Sequence, residues 1–286
     1  RRRQRQMCIR DRTDAAVTPW QIGDGSGNPV EATGDEQVEL FRSVKAGNGR
    51  VEIALTDGGT LSAAQVNDLS VAGTANCYVV SAPGTYVFNA RVRGNGAGEG
   101  VGFEPAIEMA DGMTADWLWT DSEGLVSGVA LDTTSGDIFL TVGEGRGNAL
   151  VALMQDGKVV WSWHVWVTDA PQTMTYGNGT VFMDRNLGAV GTTAGGTDAY
   201  GMYYQWGRKD PFYGGEKTET SANAFLEAKN GTVVNPAYPA LDWAFSKSAT
   251  TTDGAAANPM TFYNDKVGTG YNWLASPNAT LWGEAK

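Results

Sequence analysis

From Asn76 to Asp169 the chain alternates short apolar runs with turn residues at regular spacing. The runs CYVV, TYVFNARV, DWLW, LVSGVAL, DIFLTV, NALVALM and KVVWSWHVWV are punctuated by Pro83-Gly84, a glycine-rich loop, Glu123-Gly124, Ser135-Gly136 and Asp156-Gly157. Stretches with a 3.6-residue apolar period are scarce. Short β-prone runs bounded by Gly and Pro predict strands, and about seven of them at this spacing predict an immunoglobulin-like β-sandwich over residues 76–170. Asp156-Gly157 suits the positive φ angles of a type I′ turn, so the last two runs read as a hairpin.

The final run carries three tryptophans and the chain's only histidine. Alternate strand residues face opposite ways, which places Val159, Trp161, Trp163, Val165 and Val167 on one face and Val160, Ser162, His164, Trp166 and Thr168 on the other. The first face is wholly apolar. Its expected use is to fill the space between two sheets, with a sugar-stacking platform as the alternative for Trp161 and Trp163. Trp166, near the strand end among polar residues, is expected to pack against the following domain rather than a ligand. A solitary histidine on a regular strand reads as structural; general-base work would need a nucleophile and an orienting acid brought to it.

Outside this region the pattern is less regular. VELFRSV and GRVEIALTD suggest strands, SAAQVNDL a short helix capped by Ser62, and residues 13–75 together the remnant of an upstream β domain. Asp169-Ala170-Pro171 ends the last run, because proline cannot continue a ladder, and a second domain is expected over 171–286. Within it SANAFLEAKN predicts a helix from Ser221, ended by Asn230 and Gly231.

At 286 residues and 42% hydrophobic content the chain is long enough for two cored domains. Back-translated, Arg2–Arg12 is similar to the adapter used in transposase-based sequencing libraries, so residues 1–12 are read as an artefact and set aside from fold reasoning. Without their six Arg and one Asp, the net charge deepens from −11 to −16. Such an acidic surface disfavours nucleic acid and anionic lipid as partners. Cys77 then stands alone, which excludes an internal disulfide and paired-cysteine metal sites. No apolar run reaches the ~18 residues of a membrane span. A signal or lipid anchor is presumed lost upstream.

The region after Pro171 is rich in aromatic, Gly and Asn residues. Asp184, Arg185 and Asn186 offer an acid, a five-donor cation and an amide in succession, and Arg208, Lys209 and Asp210 offer similar chemistry beside Trp206. A loop-rich domain needs such groups to satisfy its main chain. An Asp184–Arg208 or Arg185–Asp210 pair is conceivable, and ligand contact by Asp184, Arg185, Asn186, Trp206, Arg208 and Asp210 is the alternative to structural pairing. Elsewhere, GNGAGEGVG is followed by Phe103-Glu104-Pro105 rather than a helix, against a phosphate loop. The acidic turns TDSEG and LDTTSGD lack EF-hand spacing. No metal site and no cofactor is expected.

MDRNLGA at Met183–Ala189 followed by GMYYQWGRKDPF at Gly201–Phe212 resembles the start of the Fibrobacter succinogenes major paralogous domain, carried by fimbrillin-family surface proteins of Bacteroidota. ANCYVVSAPGTYVFNA and GNALVALMQDGKVVWSWHVWVTD resemble the sandwich domain upstream of it, so the likeness spans about residues 75–286. The resemblance implies a partial C-type-lectin-like α+β domain after the sandwich, truncated at Lys286 shortly after Leu281–Gly283, where relatives are expected to continue through a Cys- and Pro-containing segment. It also implies an extracellular or outer-membrane surface location and no catalytic residues. The expectation is therefore a non-catalytic adhesion or pilus-associated protein, with a glycan, a host protein or a neighbouring pilin as partner. A carbohydrate-binding accessory module of a polysaccharide-utilisation system is the alternative, and a hydrolase the weaker third.

Overall fold

The computed structural model describes residues 44–46, 49–56, 60–94, 96, 106–212, 233–268 and 270–276, with side chains from Val66 onward. The helix expected at SANAFLEAKN lies outside the described residues. The chain is mainly β, in several sheets. It divides into two compact units, Arg1–Asp68 and Leu69–Lys286.

In the first unit, strands β1 (Val44–Ala46), β2 (Gly49–Thr56) and β3 (Thr60–Asp68) form an antiparallel meander. The helix expected from Ser62 is thus replaced by a strand. Every residue from Thr60 to Asn67 pairs with β2, and this ladder overrides the weak helix preference of Ala63-Ala64-Gln65, as tertiary context commonly does.

In the second unit, all seven anticipated runs form strands: β4 (Cys77–Val80), β5 (Gly84–Asn89), β6 (Met113–Thr120), β7 (Val126–Asp132), β8 (Asp137–Val142), β9 (Gly147–Gln155) and β10 (Lys158–Val167). One sheet has the antiparallel order β5-β8-β7. The other runs β6-β9-β10-β4, with β4 parallel to β10 at the edge. Asp156 and Gly157 both have positive φ, 50° and 73°, as the predicted turn between β9 and β10 requires.

The two sheets share one core. Tyr78, Phe88, Ile138, Leu140, Val151, Leu153, Trp163, Val165 and Val167 belong to the same buried cluster, and the Phe88 and Trp163 rings meet at 5.1 Å across the layers. Trp161 packs at the edge of this cluster, half-buried. Val159 does not join it. The ladder slips at Val160, so that Val159 pairs with Met154 and Trp161 with Leu153. A bulge of this kind inserts one residue and reverses the facing of everything before it, which sends Val159 to the opposite side.

That opposite side is also covered. Strand β9 is buried on both faces, its odd residues in the first core and Leu150, Ala152 and Met154 in a second with Leu118, Trp119, Val159 and Met260. The cover comes from within the segment after Pro171, whose elements are β11 (Thr173–Thr175), β12 (Val181–Met183), β13 (Tyr203–Tyr204), β14 (Pro211–Phe212), β15 (Val233–Val234), β16 (Ala244–Ser246), helix α1 (Thr252–Ala257) and β17 (Thr261–Tyr263), with β11 and β12 themselves exposed. Met202, Tyr238, Leu241 and Trp243 pack against this second cluster, and β15 adds antiparallel to the free edge of β6. Each large side chain so buried contributes about 2–3 kcal/mol. Helix α1 is capped by Thr251, whose hydroxyl accepts from the Gly254 amide.

Candidate functional site

The face of β10 that carries Ser162, His164, Trp166 and Thr168 is where the chain's polar chemistry converges. All four are buried. A buried polar group without a partner is costly, and each partner here comes from another part of the second unit.

His164 sits opposite Cys77 in the parallel β10–β4 register. Its Nε2 is 2.8 Å from Asn148 Oδ1. The orientation of that amide is settled by its other end, since Asn148 Nδ2 donates to Asp121 Oδ2 at 2.8 Å and to the Gly188 carbonyl at 3.0 Å. Asn148 Oδ1 is therefore an acceptor, and His164 Nε2 carries the proton. Nδ1 is then the acceptor, receiving the Tyr204 hydroxyl at 2.7 Å with the Cys77 thiol at 3.2 Å. Burial holds the imidazole pKa down, to about 3, and pushes the thiol up to about 12. The Tyr204 phenol is raised as well, by burial first and then by Cys77 and Asp210. At neutral pH the three groups are uncharged, and none is near the pKa that suits a general base.

Tyr204 belongs to a second device. Strands β13 and β14 pair as a hairpin, Tyr203 with Phe212 and Tyr204 with Pro211, and the loop between them is Gln205-Trp206-Gly207-Arg208-Lys209-Asp210. Asp210 Oδ2 accepts from Arg208 Nε at 3.1 Å, and Oδ1 accepts from Ser162 Oγ at 3.0 Å and from Lys209. Arg208 also donates to Gln205 Oε1 at 2.8 Å and to the carbonyls of Thr261 at 2.7 Å and Asn258 at 3.0 Å, while its guanidinium lies 4.8 Å from the Phe212 ring centre. Lys209 Nζ donates to Ser162 Oγ at 2.6 Å and sits 4.6 Å from the Trp161 ring centre. Burial lowers the pKa of both cations, and Asp210 opposes that shift. A lysine this close to a serine is an arrangement that can activate a nucleophile. Here the Ser162 hydroxyl is committed to Asp210 and is buried.

Arg185 closes the other end of the strand. Its side chain is 3% exposed and grips two carboxylates, Asp169 through Nη1 and Nη2, each at 3.0 Å, and Asp184 through Nε at 2.8 Å and Nη2 at 3.0 Å. Nη1 also donates to Thr168 Oγ1 at 3.0 Å. These bonds hold the Asp169 pKa down, to about 2, and lower that of Asp184. Neither Asp184–Arg208 nor Arg185–Asp210 forms. Arg185 is taken up by Asp169 at the end of β10, and Arg208 by the hairpin loop and the 258–261 carbonyls. Asn186 Nδ2 donates to the Ala199 carbonyl at 3.1 Å, and Trp166 Nε1 to that of Ala189 at 2.9 Å.

Five of the six candidate residues thus tie chain to chain. Trp206 differs: its indole is 76% exposed. Its backbone is nevertheless fixed, because Arg208 N donates to Gln205 O at 2.8 Å across a turn with Gly207 at φ 76°, and Trp206 O accepts from Trp273 Nε1 at 2.8 Å. The partnership of Ser162 with Lys209 and Asp210 was not anticipated. Its one signal is the set of polar residues Ser162 and His164 within, and Thr168 just after, a largely apolar strand, which must find partners somewhere.

A second surface feature is the β11–β12 hairpin. Met174 faces Phe182 in the ladder, Tyr176 meets Phe182 edge-on at 5.4 Å, and every residue of both strands is exposed, Phe182 by 57%. No charged residue occurs from Ala170 to Met183. Among the described residues, no group of three or more His, Cys, Asp or Glu is placed to hold a metal ion, and no helix is long and apolar enough to cross a membrane. No protein-family model matches the chain, and no curated protein matches it.

Proposed function

We propose that this chain is a non-catalytic part of an extracellular or outer-membrane surface protein that works in adhesion or pilus assembly, with an immunoglobulin-like sandwich over 76–170 and the first part of a lectin-like domain after it. The observation that carries this reading is the β11–β12 hairpin: two short strands, uncharged, with Met174, Tyr176, Val181, Phe182 and Met183 in water. Isolated two-stranded ribbons are marginal alone, and an apolar ribbon with open edges suits strand addition to another protein, such as a neighbouring pilin. The groups with catalytic potential, His164, Ser162 and Cys77, support the same reading, since they bond to one another or to structural partners, with His164 and Ser162 buried and Cys77 half-buried. The test is binding of the full chain to immobilised host matrix proteins and to pili, beside a Phe182→Asp variant. The reading expects binding to a protein that the variant loses. Equal binding by the variant, or hydrolysis of a polysaccharide by the chain, contradicts it.

The second reading, a carbohydrate-binding accessory module, is favoured by the exposed Trp206 on a braced loop.

A further inference from the structure

Trp206 is one of two exposed aromatic residues whose loops meet at one bond. Trp273, buried in a small cluster with Ala255, Tyr263 and Leu274, donates its Nε1 to the Trp206 carbonyl. Two residues before Trp273 stands Tyr271, 61% exposed. Its backbone has φ 75°, a conformation bulky residues rarely adopt. That conformation is held by the bond from Tyr271 N to Asp265 O at 2.8 Å and by the Asp265–Asn272 bridge. Backbone strain that surrounding bonds maintain is a recurring mark of binding positions. Here its visible product is a phenol ring presented to water beside the loop that presents an indole. Tyr203, also exposed, opens the hairpin that carries Trp206.

The chemistry of the pair is specific in one respect, its lack of charge. The stretches Tyr200–Gly207 and Val267–Leu274 contain no Asp, Glu, Lys or Arg. Flat, rigid, uncharged aromatic surface matches the apolar C–H face of a sugar ring, while the phenol and indole edges retain polar atoms for its hydroxyls. The net charge of −11 works against sulfated or uronic chains. The backbones of Trp206 and Tyr271 are each held by a hydrogen bond, Trp206 O from Trp273 Nε1 and Tyr271 N to Asp265 O, so little backbone freedom at these two residues is lost when a ligand arrives.

We propose that Trp206 and Tyr271 form a stacking platform for a pyranose ring of a neutral polysaccharide. The proposal rests on the carbohydrate-binding reading given above. It is tested by affinity electrophoresis of the full chain in gels containing galactomannan, xyloglucan, mixed-linkage β-glucan or, as the anionic contrast, chondroitin sulfate. Retardation by at least one neutral polymer and not by the sulfated one is expected. Trp206→Ala should weaken it on the order of tenfold, and Trp206→Phe should restore part of the loss. Tyr271→Gly separates binding from structure: it relieves the unfavourable φ, so the melting temperature should hold or rise while retardation falls. If wild type is retarded and Trp206→Ala is retarded equally, the platform is wrong and the carbohydrate reading survives. If no neutral polymer retards the wild type, both are wrong.

Discussion

On one face of β10, Trp163, Val165 and Val167 meet the opposite sheet through apolar contact alone. On the other, Ser162, His164 and Thr168 meet the segment beyond Pro171 through individually placed hydrogen bonds. Both faces are closed to water, yet they are specified differently. Apolar contact asks only for volume and shape. Each polar group on the second face asks for a particular donor or acceptor at a particular place, and those lie far away in sequence: Tyr204 for His164, Asp210 for Ser162 and Arg185 for Thr168.

The apolar face is most sensitive at Trp163. Trp163→Ala removes a fully buried indole and should cost roughly 3–5 kcal/mol in urea unfolding. Trp163→Phe should cost much less, because Trp163 Nε1 has no hydrogen-bond partner among the described residues and its removal relieves a buried donor. A phenylalanine variant as unstable as the alanine one would show that the indole nitrogen matters. On the polar face Asp210→Ala should cost about 3 kcal/mol, since it leaves two buried cations without their carboxylate. A near-neutral effect would mean that Arg208 and Lys209 are solvated.

Per unit of pH, the titration of His164 has a smaller effect. His164 has its folded-state pKa near 3, below the ordinary 6.5, and the cause is burial. The unfolded chain therefore binds a proton below pH 6.5 that the folded one refuses. Stability should fall as pH drops from 6.5 towards 3, by up to about 1.4 kcal/mol per unit. Asp169 and Asp184, with lowered pKa values, contribute stability that is lost only below about pH 4. The slope between pH 6.5 and 4.5 should accordingly disappear in His164→Gln, as read from urea midpoints across that range. The smallest effect should be Arg185→Lys, about 1 kcal/mol, as a single ammonium cannot reproduce two forked carboxylate contacts. Thermal unfolding of that variant is the check.

The two faces also differ in how far they could be read from the residues. The inward place of Trp163, Val165 and Val167 follows from strand alternation, and the β9–β10 turn from Asp156-Gly157. The run Ala149–Met154 has no polar position, which is the pattern of a strand covered on both sides. Alternation failed at Val159, because nothing in VVWSW marks the bulge at Val160. At Ser62 local preference lost to a ladder with β2. On the polar face the residue types are visible but the pairings are not. Arg185 and Arg208 each have several acids within reach in sequence, and only the path of the chain sends Arg185 to Asp169 and Arg208 to Asp210. Trp206 was legible as a candidate, whereas its exposure depends on the fixed turn beneath it.

The polar face of β10 is a sealed interior with a neutral imidazole in it. Because His164 is the only histidine, nitrogen-15 NMR of the labelled full chain reports it without ambiguity. One neutral ring is expected, protonated at Nε2, with nitrogen shifts unchanged from pH 7.5 to 5. A ring that titrates near pH 6.5, or one protonated at Nδ1, would contradict it.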